Sequence, residues 1–199
     1  MTREEIIAFA LANAAGAWTP GPNNAMLASS GATFGLRRTE PHAIGVGFGF
    51  AAMLLVVSLG LGGVIDRSPI FYEVLRWVGA ALLIWVAWKI GSSGRGGDVE
   101  VDRKPFTFLQ AAGFQWINPK AWAMAVGLTG TFASREDPIQ SALIMSVIAV
   151  LVGLGSAHTW AIFGAGLQRI LKNPLHLRLF NLTMAALILV GVYWMVTDH

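Results

Sequence analysis

The chain is written in long apolar blocks separated by short charged ones. Pro41 to Ile65, Pro138 to Gln168 and Leu179 to Thr197 each run without an Asp, Glu, Lys or Arg and without an interior proline. A helix crosses a bilayer in about 20 apolar residues, so each stretch predicts a transmembrane helix. Two more blocks, about Ile6 to Phe34 and Thr107 to Ala133, are equally apolar but carry proline in their middle. A sixth, about Ile70 to Gly91, has Glu73 and Arg76 near its start, Lys89 near its end, and Trp77, Trp85 and Trp88 between. Long cationic stems reach the bilayer surface and tryptophan favours the interface, so these residues are compatible with a span. The pattern predicts an all-α integral membrane protein of six transmembrane helices, one transporter-sized domain over residues 1–199.

Composition narrows this further. Of the 199 residues, 55% are hydrophobic and 13% charged, against about a quarter charged in soluble domains. Six spans leave no length for a second, soluble domain. The absence of cysteine excludes disulfides, thiolate nucleophiles and cysteine-ligated metal centres, and no metal or cofactor is expected. The formal net charge of +3 invites a polyanion reading, but the basic residues fall in the predicted loops. They act as topology signals, and no nucleic-acid partner is expected.

The amino end resembles a signal peptide only superficially. Arg3 is offset by Glu4 and Glu5, and the chain stays hydrophobic past Ala15 to Ala17, so it is read as a retained first span. With six spans, Arg37, Arg38, Lys89, Arg95, Arg103, Lys104, Arg169, Lys172 and Arg178 share one side, against Arg3, Arg67, Arg135 and the borderline Arg76. The basic side is predicted to be cytoplasmic, with both termini outside.

The stretch from Ser92 to Pro105 reads as a flexible linker between related halves, repeat one at about 1–91 and repeat two at about 106–199. In each half the first span is broken about a dozen residues in, at Thr19-Pro20-Gly21-Pro22-Asn23 and at Asn118-Pro119-Lys120, with Trp18 and Trp116 just before. Three spans per half require the repeats to be inverted. The loop charges agree: Arg37 and Arg38 against Arg135, Glu136 and Asp137, then Asp66 and Arg67 against Arg169 and Lys172. Interrupted spans at matching positions of two halves point to a transporter's binding site.

Proline removes a backbone donor and clashes with the preceding turn. In hydrocarbon such a break is tolerated where protein, water or ligand satisfies the freed carbonyls. A kink used for packing is the plainer reading of either break alone; two mirrored breaks favour a lined cavity. The half-helix that begins after each break offers free amides to an anion such as a carboxylate. Thr19, Asn23, Asn24, Gln115 and Asn118 add neutral polar groups, whose alternative role is repair of the broken backbone. Lys120 is the only charge between Pro105 and Ser134. An intramembrane charge commonly marks a pathway, relay or counter-ion site; Lys120 is therefore a candidate partner for an anionic group and a proton-relay candidate, or else a donor to carbonyls freed by the break. His158 is the second relay candidate, with simple packing as the alternative. His42 and His176 are expected in solvated loops, His199 at the terminus, and Glu73 at the interface. Gly31 and Gly35, Gly45 and Gly49, Gly153 with Gly155, and Gly164 with Gly166 read as small faces for helix packing, which would also permit a homodimer.

These motifs, Thr19-Pro20-Gly21-Pro22-Asn23, the Arg37-Arg38 pair and Asn118-Pro119-Lys120-Ala121-Trp122, in a chain near 200 residues with six spans, resemble the LysE/RhtB family of amino-acid exporters over essentially the whole length. The resemblance implies a bacterial inner-membrane exporter of amino acids or close analogues, driven by protons through alternating access. It marks Pro20, Gly21, Pro22, Asn23, Asn118, Pro119 and Lys120 as central. One departure is Gly35-Leu36-Arg37-Arg38-Thr39-Glu40-Pro41, where Pro41 is expected to stiffen the loop after the first span. The absence of a carboxylate away from the span ends favours a neutral substrate. Competing readings are a passive channel or structural membrane protein, and a membrane enzyme, for which no His, Asp or Glu cluster speaks.

Overall fold

The computed structural model describes residues 1–61, 69–92, 104–134, 136–167 and 173–197. Every regular element among them is helical. The helices are α1 (Arg3–Trp18), α2 (Pro22–Phe34), α3 (Leu36–Val56), α4 (Pro69–Gly91), α5 (Phe108–Phe114), α6 (Pro119–Phe132), α7 (Pro138–Gly166) and α8 (Pro174–Thr197). A π-type turn, Val57–Leu61, continues α3, and a 3-10 turn, Gln115–Ile117, continues α5.

Three described helices are long and apolar enough to cross a membrane: Leu36–Gly60, Pro138–Gly166 and Leu175–Tyr193. The two proline-broken blocks enter as half-helices of 16 and 13 residues, α1 and α2, and of 7 and 14 residues, α5 and α6. None of these halves spans a bilayer by itself. The same device opens both broken blocks. Thr2 caps α1 and exchanges hydrogen bonds with Glu5, while Thr107 caps α5 and exchanges them with Gln110, so each helix starts on a reciprocal capping box.

Helix α7 is the central post, packed by α3, α2 and α1; α3 also packs on α5, and α4 pairs with α8. Backbones come very close at glycines. A Cβ on Gly31 would strike the Ala161 carbonyl, and one on Gly164 the Ala28 carbonyl, which locks α2 to α7. Gly45 and Gly49 do the same for α3 against Phe108 and Ala112 of α5, and Gly153 meets Gly47 across α3 and α7. On the outer side of α7, Leu143, Val147 and Leu151 form an exposed stripe at helical spacing. Such an apolar exterior suits lipid rather than water.

Several expectations need correction. Arg37 and Arg38 stand exposed in the first turn of α3, not in a loop, because Gly35 alone (φ 79°) turns the chain from α2 into α3. Pro41 lies inside that helix and stiffens no loop; it removes only the amide that the Arg37 carbonyl would receive. Gly35 is thus a turn rather than a packing face, and Gly166 faces open space. His42 is buried, 2% exposed, with its ring 5.3 Å from that of Phe106. The apolar cover that α5 and its approach segment lay over α3 keeps it from solvent. His176 is exposed as expected but stands in the first turn of α8, not in a loop, and Glu73 is exposed and accepts from Trp77 Nε1 at 3.0 Å. Residues 93–103 of the expected linker, and with them Arg95 and Arg103, lie outside the described residues, as do Asp66, Arg67, Arg135, Arg169, Lys172 and His199.

Candidate functional site

Pro22 opens α2 and Pro119 opens α6, each at a first helical position where the missing amide hydrogen leaves no bond unmade. The two breaks thereby become two helix starts, and they meet. Asn23 Nδ2 donates to Gln115 Oε1 at 2.8 Å, joining residues 92 apart in sequence. Lys120 Nζ donates to the Thr19 carbonyl at 2.5 Å across 101 residues.

Three carbonyls at the first break, those of Ala15, Ala17 and Thr19, find side-chain donors. Thr19 Oγ1 donates to the Ala15 carbonyl at 2.6 Å. Asn24 Nδ2 serves the Ala17 and Thr19 carbonyls at 3.0 and 2.9 Å, and Ser156 Oγ from α7 adds a bond to Ala17 at 2.7 Å. At the second break Gln115 Nε2 donates to the Ala111 carbonyl and Trp122 Nε1 to that of Trp116. Satisfying these groups is what permits irregular backbone away from water. Ser156 stands out only in three dimensions, since nothing in its sequence context ties a small residue of the fifth apolar block to the first break.

The two helix starts differ. Asn118 Oδ1 accepts from the Lys120 amide at 3.2 Å and so caps α6. Gly21, the cap of α2, supplies no side chain, and α2 begins with open amides. The Lys120 side chain lies against this same end, since a Cβ on Gly21 would sit 3.0 Å from Lys120 Cδ and 3.1 Å from its Nζ. An ammonium and a helix amino terminus are both positive. Among the described residues no carboxylate is paired with Lys120, whose Nζ is held by the Thr19 carbonyl.

A cavity of ≈ 60 Å³ lies between the breaks. Asn23, Asn24, Gln115, Asn118, Lys120 and Ser156 give it a polar side, and Val46, Phe50 and Met124 an apolar one. Asn23 Oδ1, on one of these lining residues, is buried with no protein hydrogen-bond partner. The volume holds a few waters. Of the sequence candidates, Thr19 turns its hydroxyl back to α1 and offers its carbonyl to Lys120, Pro20 is exposed, and Pro22 is buried beside Gly191. His158 stays off the cavity, next to the lining Ala157, and bonds Glu40 of α3 at 2.9 Å. No group of three or more metal-binding side chains occurs among the described residues.

The chain is similar to known transporters. The sequence profile of the family described as LysE type translocator matches residues 14–197. A cysteine/O-acetylserine efflux protein of Escherichia coli O139:H28 (strain E24377A / ETEC) is 31% identical over 177 residues, covering 87% of this chain and 88% of the relative. The proteins of the same name from Escherichia coli (strain K12) and Shigella flexneri serotype 5b (strain 8401) are 31% identical over 176 residues, covering 86% and 87%. No solved structure matches. The protein is a membrane protein, the family is one of transporters and not of enzymes, and the chain belongs to the LysE-type translocator family.

Proposed function

We propose that the protein exports amino acids or close analogues across the bacterial inner membrane by proton-coupled alternating access, with the solute's carboxylate held between Lys120 and the open amides of α2. The observation that carries this reading is the uncompensated Lys120 ammonium beside an uncapped helix start, at a cavity. Two positive ends without a protein counter-ion suit a small anionic group. The unpartnered Oδ1 of the lining residue Asn23 suits the solute's ammonium, with Asn118 and Gln115 orienting it.

A neutral side chain is favoured. Val46, Phe50 and Met124 offer it an apolar wall, and no lining residue is a carboxylate that would hold a cationic one. The names of the relatives, cysteine/O-acetylserine efflux proteins, agree with this preference.

Residues 1–91 and 106–199 are read as inverted three-helix repeats forming one transporter domain, six spans in all. Support comes from the paired capping boxes at Thr2 and Thr107, the paired breaks, and the pairings of α3 with α7 and α4 with α8, each joining equivalent helices of the two halves. The basic loops are assigned to the cytoplasm and both termini to the outside. Protons are the coupling ion, with Lys120 and His158 as carriers.

The test uses the purified chain in sealed vesicles loaded with labelled cysteine, O-acetylserine and a panel of other amino acids. Movement of neutral amino acids against their gradient when a pH gradient is imposed supports coupled export. Movement only down the solute gradient supports a passive channel instead, and no movement of any amino acid by folded, inserted protein rejects the substrate class.

A further inference from the structure

Glu40 of α3 and His158 of α7 meet across the most extensive helix contact among the described residues, and neither lines the solute cavity. His158 Nδ1 lies 2.7 Å from the Leu154 carbonyl oxygen, and its Nε2 lies 2.9 Å from Glu40 Oε1. A carbonyl oxygen only accepts, so Nδ1 carries a hydrogen. An ionised carboxylate also only accepts. The contact at Nε2 therefore needs one more proton. It sits either on the ring, which is then an imidazolium facing a carboxylate, or on Glu40, whose O–H then donates to a neutral ring. Without it, a nitrogen lone pair faces a carboxylate oxygen at hydrogen-bond distance, and the contact turns repulsive.

We propose that Glu40 and His158 together bind one proton, and that holding it is the condition for α3 and α7 to close against each other at this point. The proposal rests on the reading of coupled export, to which it adds a proton site separate from Lys120. The two side chains keep 44% and 30% of their surface free, so a proton can reach them.

Neighbouring charges do not replace either partner. Against α7 lie α1, α2, α3 and the π-type turn, and against α3 lie also α5, the 3-10 turn Gln115–Ile117, which has no titratable side chain, and α6. Helices α2 and α5 and the π-type turn carry no titratable residue, α1 carries Arg3, Glu4 and Glu5 in its first turn, and α6 carries Lys120, held at the first break. On α3 itself, Arg37 and Arg38 are exposed, and His42 is buried against Phe106. Glu40 is the only carboxylate on any of these helices beyond the first turn of α1.

Because the chain has no cysteine, spin labels at Leu36→Cys and Ile162→Cys, both exposed positions, report the α3–α7 separation in the full chain reconstituted in vesicles. The expected result is a short distance at about pH 5 that gives way to a longer one by about pH 9, the ratio of the two changing by at most about tenfold per pH unit for one proton. Glu40→Gln keeps the short distance at every pH, because its amide donates to neutral Nε2 without the extra proton. His158→Phe shows no pH response. A flat profile in the unmutated pair, or a Glu40→Gln profile that shifts like it, overturns the proposal. Counterflow of labelled cysteine in the same vesicles keeps the two readings apart. Absence of counterflow for cysteine and for every other labelled amino acid of the panel rejects the exporter reading, whereas counterflow with a flat distance profile rejects only the proton site.

Discussion

Lys120 Nζ and the Thr19 carbonyl oxygen, at the two proline breaks, are joined by a 2.5 Å hydrogen bond. The bond ties the halves of the chain at the one place where both main chains leave the helix. It also parks the only cation of the cavity on a neutral acceptor, which a carboxylate outcompetes, since hydrogen bonds between charged groups are the stronger.

Removing that cation has a defined consequence. Lys120→Ala deletes a charge-assisted bond to the solute worth about 1.5–3 kcal/mol, so affinity falls roughly 10- to 100-fold and export is lost at low solute. Lys120→Arg keeps the charge but not the shape, and retains part of the activity. Efflux assays with protein levels matched in the membrane check both.

Gly21 sets where the lysine can lie. A Cβ there comes within 3.0–3.1 Å of Lys120 Cδ and Nζ, close enough to push a flexible side chain aside without unfolding a helix. Gly21→Ala lowers export about tenfold at unchanged thermal stability, an effect of about 1.4 kcal/mol on solute binding. Equal losses of Tm and export would instead assign Gly21 to folding.

Ser156 acts on the backbone of the break. Ser156→Ala removes one of two donors to the Ala17 carbonyl, which costs about 1 kcal/mol of stability. Thermal unfolding in detergent should show a small loss, and export a smaller one than in Lys120→Ala.

The α2–α7 contact is backbone on backbone. Gly164→Leu drives a side chain into the Ala28 carbonyl and forces the helices apart at about 1–3 kcal/mol or more. The variant should fail to accumulate as folded protein, whereas Gly166→Ala, facing open space, should behave as the natural chain.

Much of this was legible in one dimension because membrane sequence is strongly patterned. Charge-free blocks mark α3, α7 and α8, and Pro20, Pro22 and Pro119 mark where helices stop and restart. The residues around those prolines were legible as candidates, and Asn23, Gln115 and Lys120 do converge. What stayed hidden depends on contacts between distant segments. Glu40 reads as a loop charge until α7 brings His158 to it from 118 residues away. His42 reads as solvated because Arg37 and Arg38 precede it, and only the packing of Phe106 shows it covered. Gly35 and Gly31 look alike in sequence, yet one turns the chain and the other seats a neighbouring helix. The asymmetry of the two helix starts, Asn118 capping one and Gly21 leaving the other open, was likewise visible only as geometry.

The central claim is that a solute carboxylate docks between Lys120 and the start of α2, and a competition measurement tests it most directly. In inside-out vesicles carrying the protein, uptake of labelled cysteine is challenged with unlabelled cysteine and with its carboxamide, which differs only in lacking the anionic group. The amino acid should compete, and the amide should need at least about tenfold more, a difference that Lys120→Arg, which keeps the cation, retains in part. Equal competition by the amide and the acid in the unmutated protein would contradict the claim.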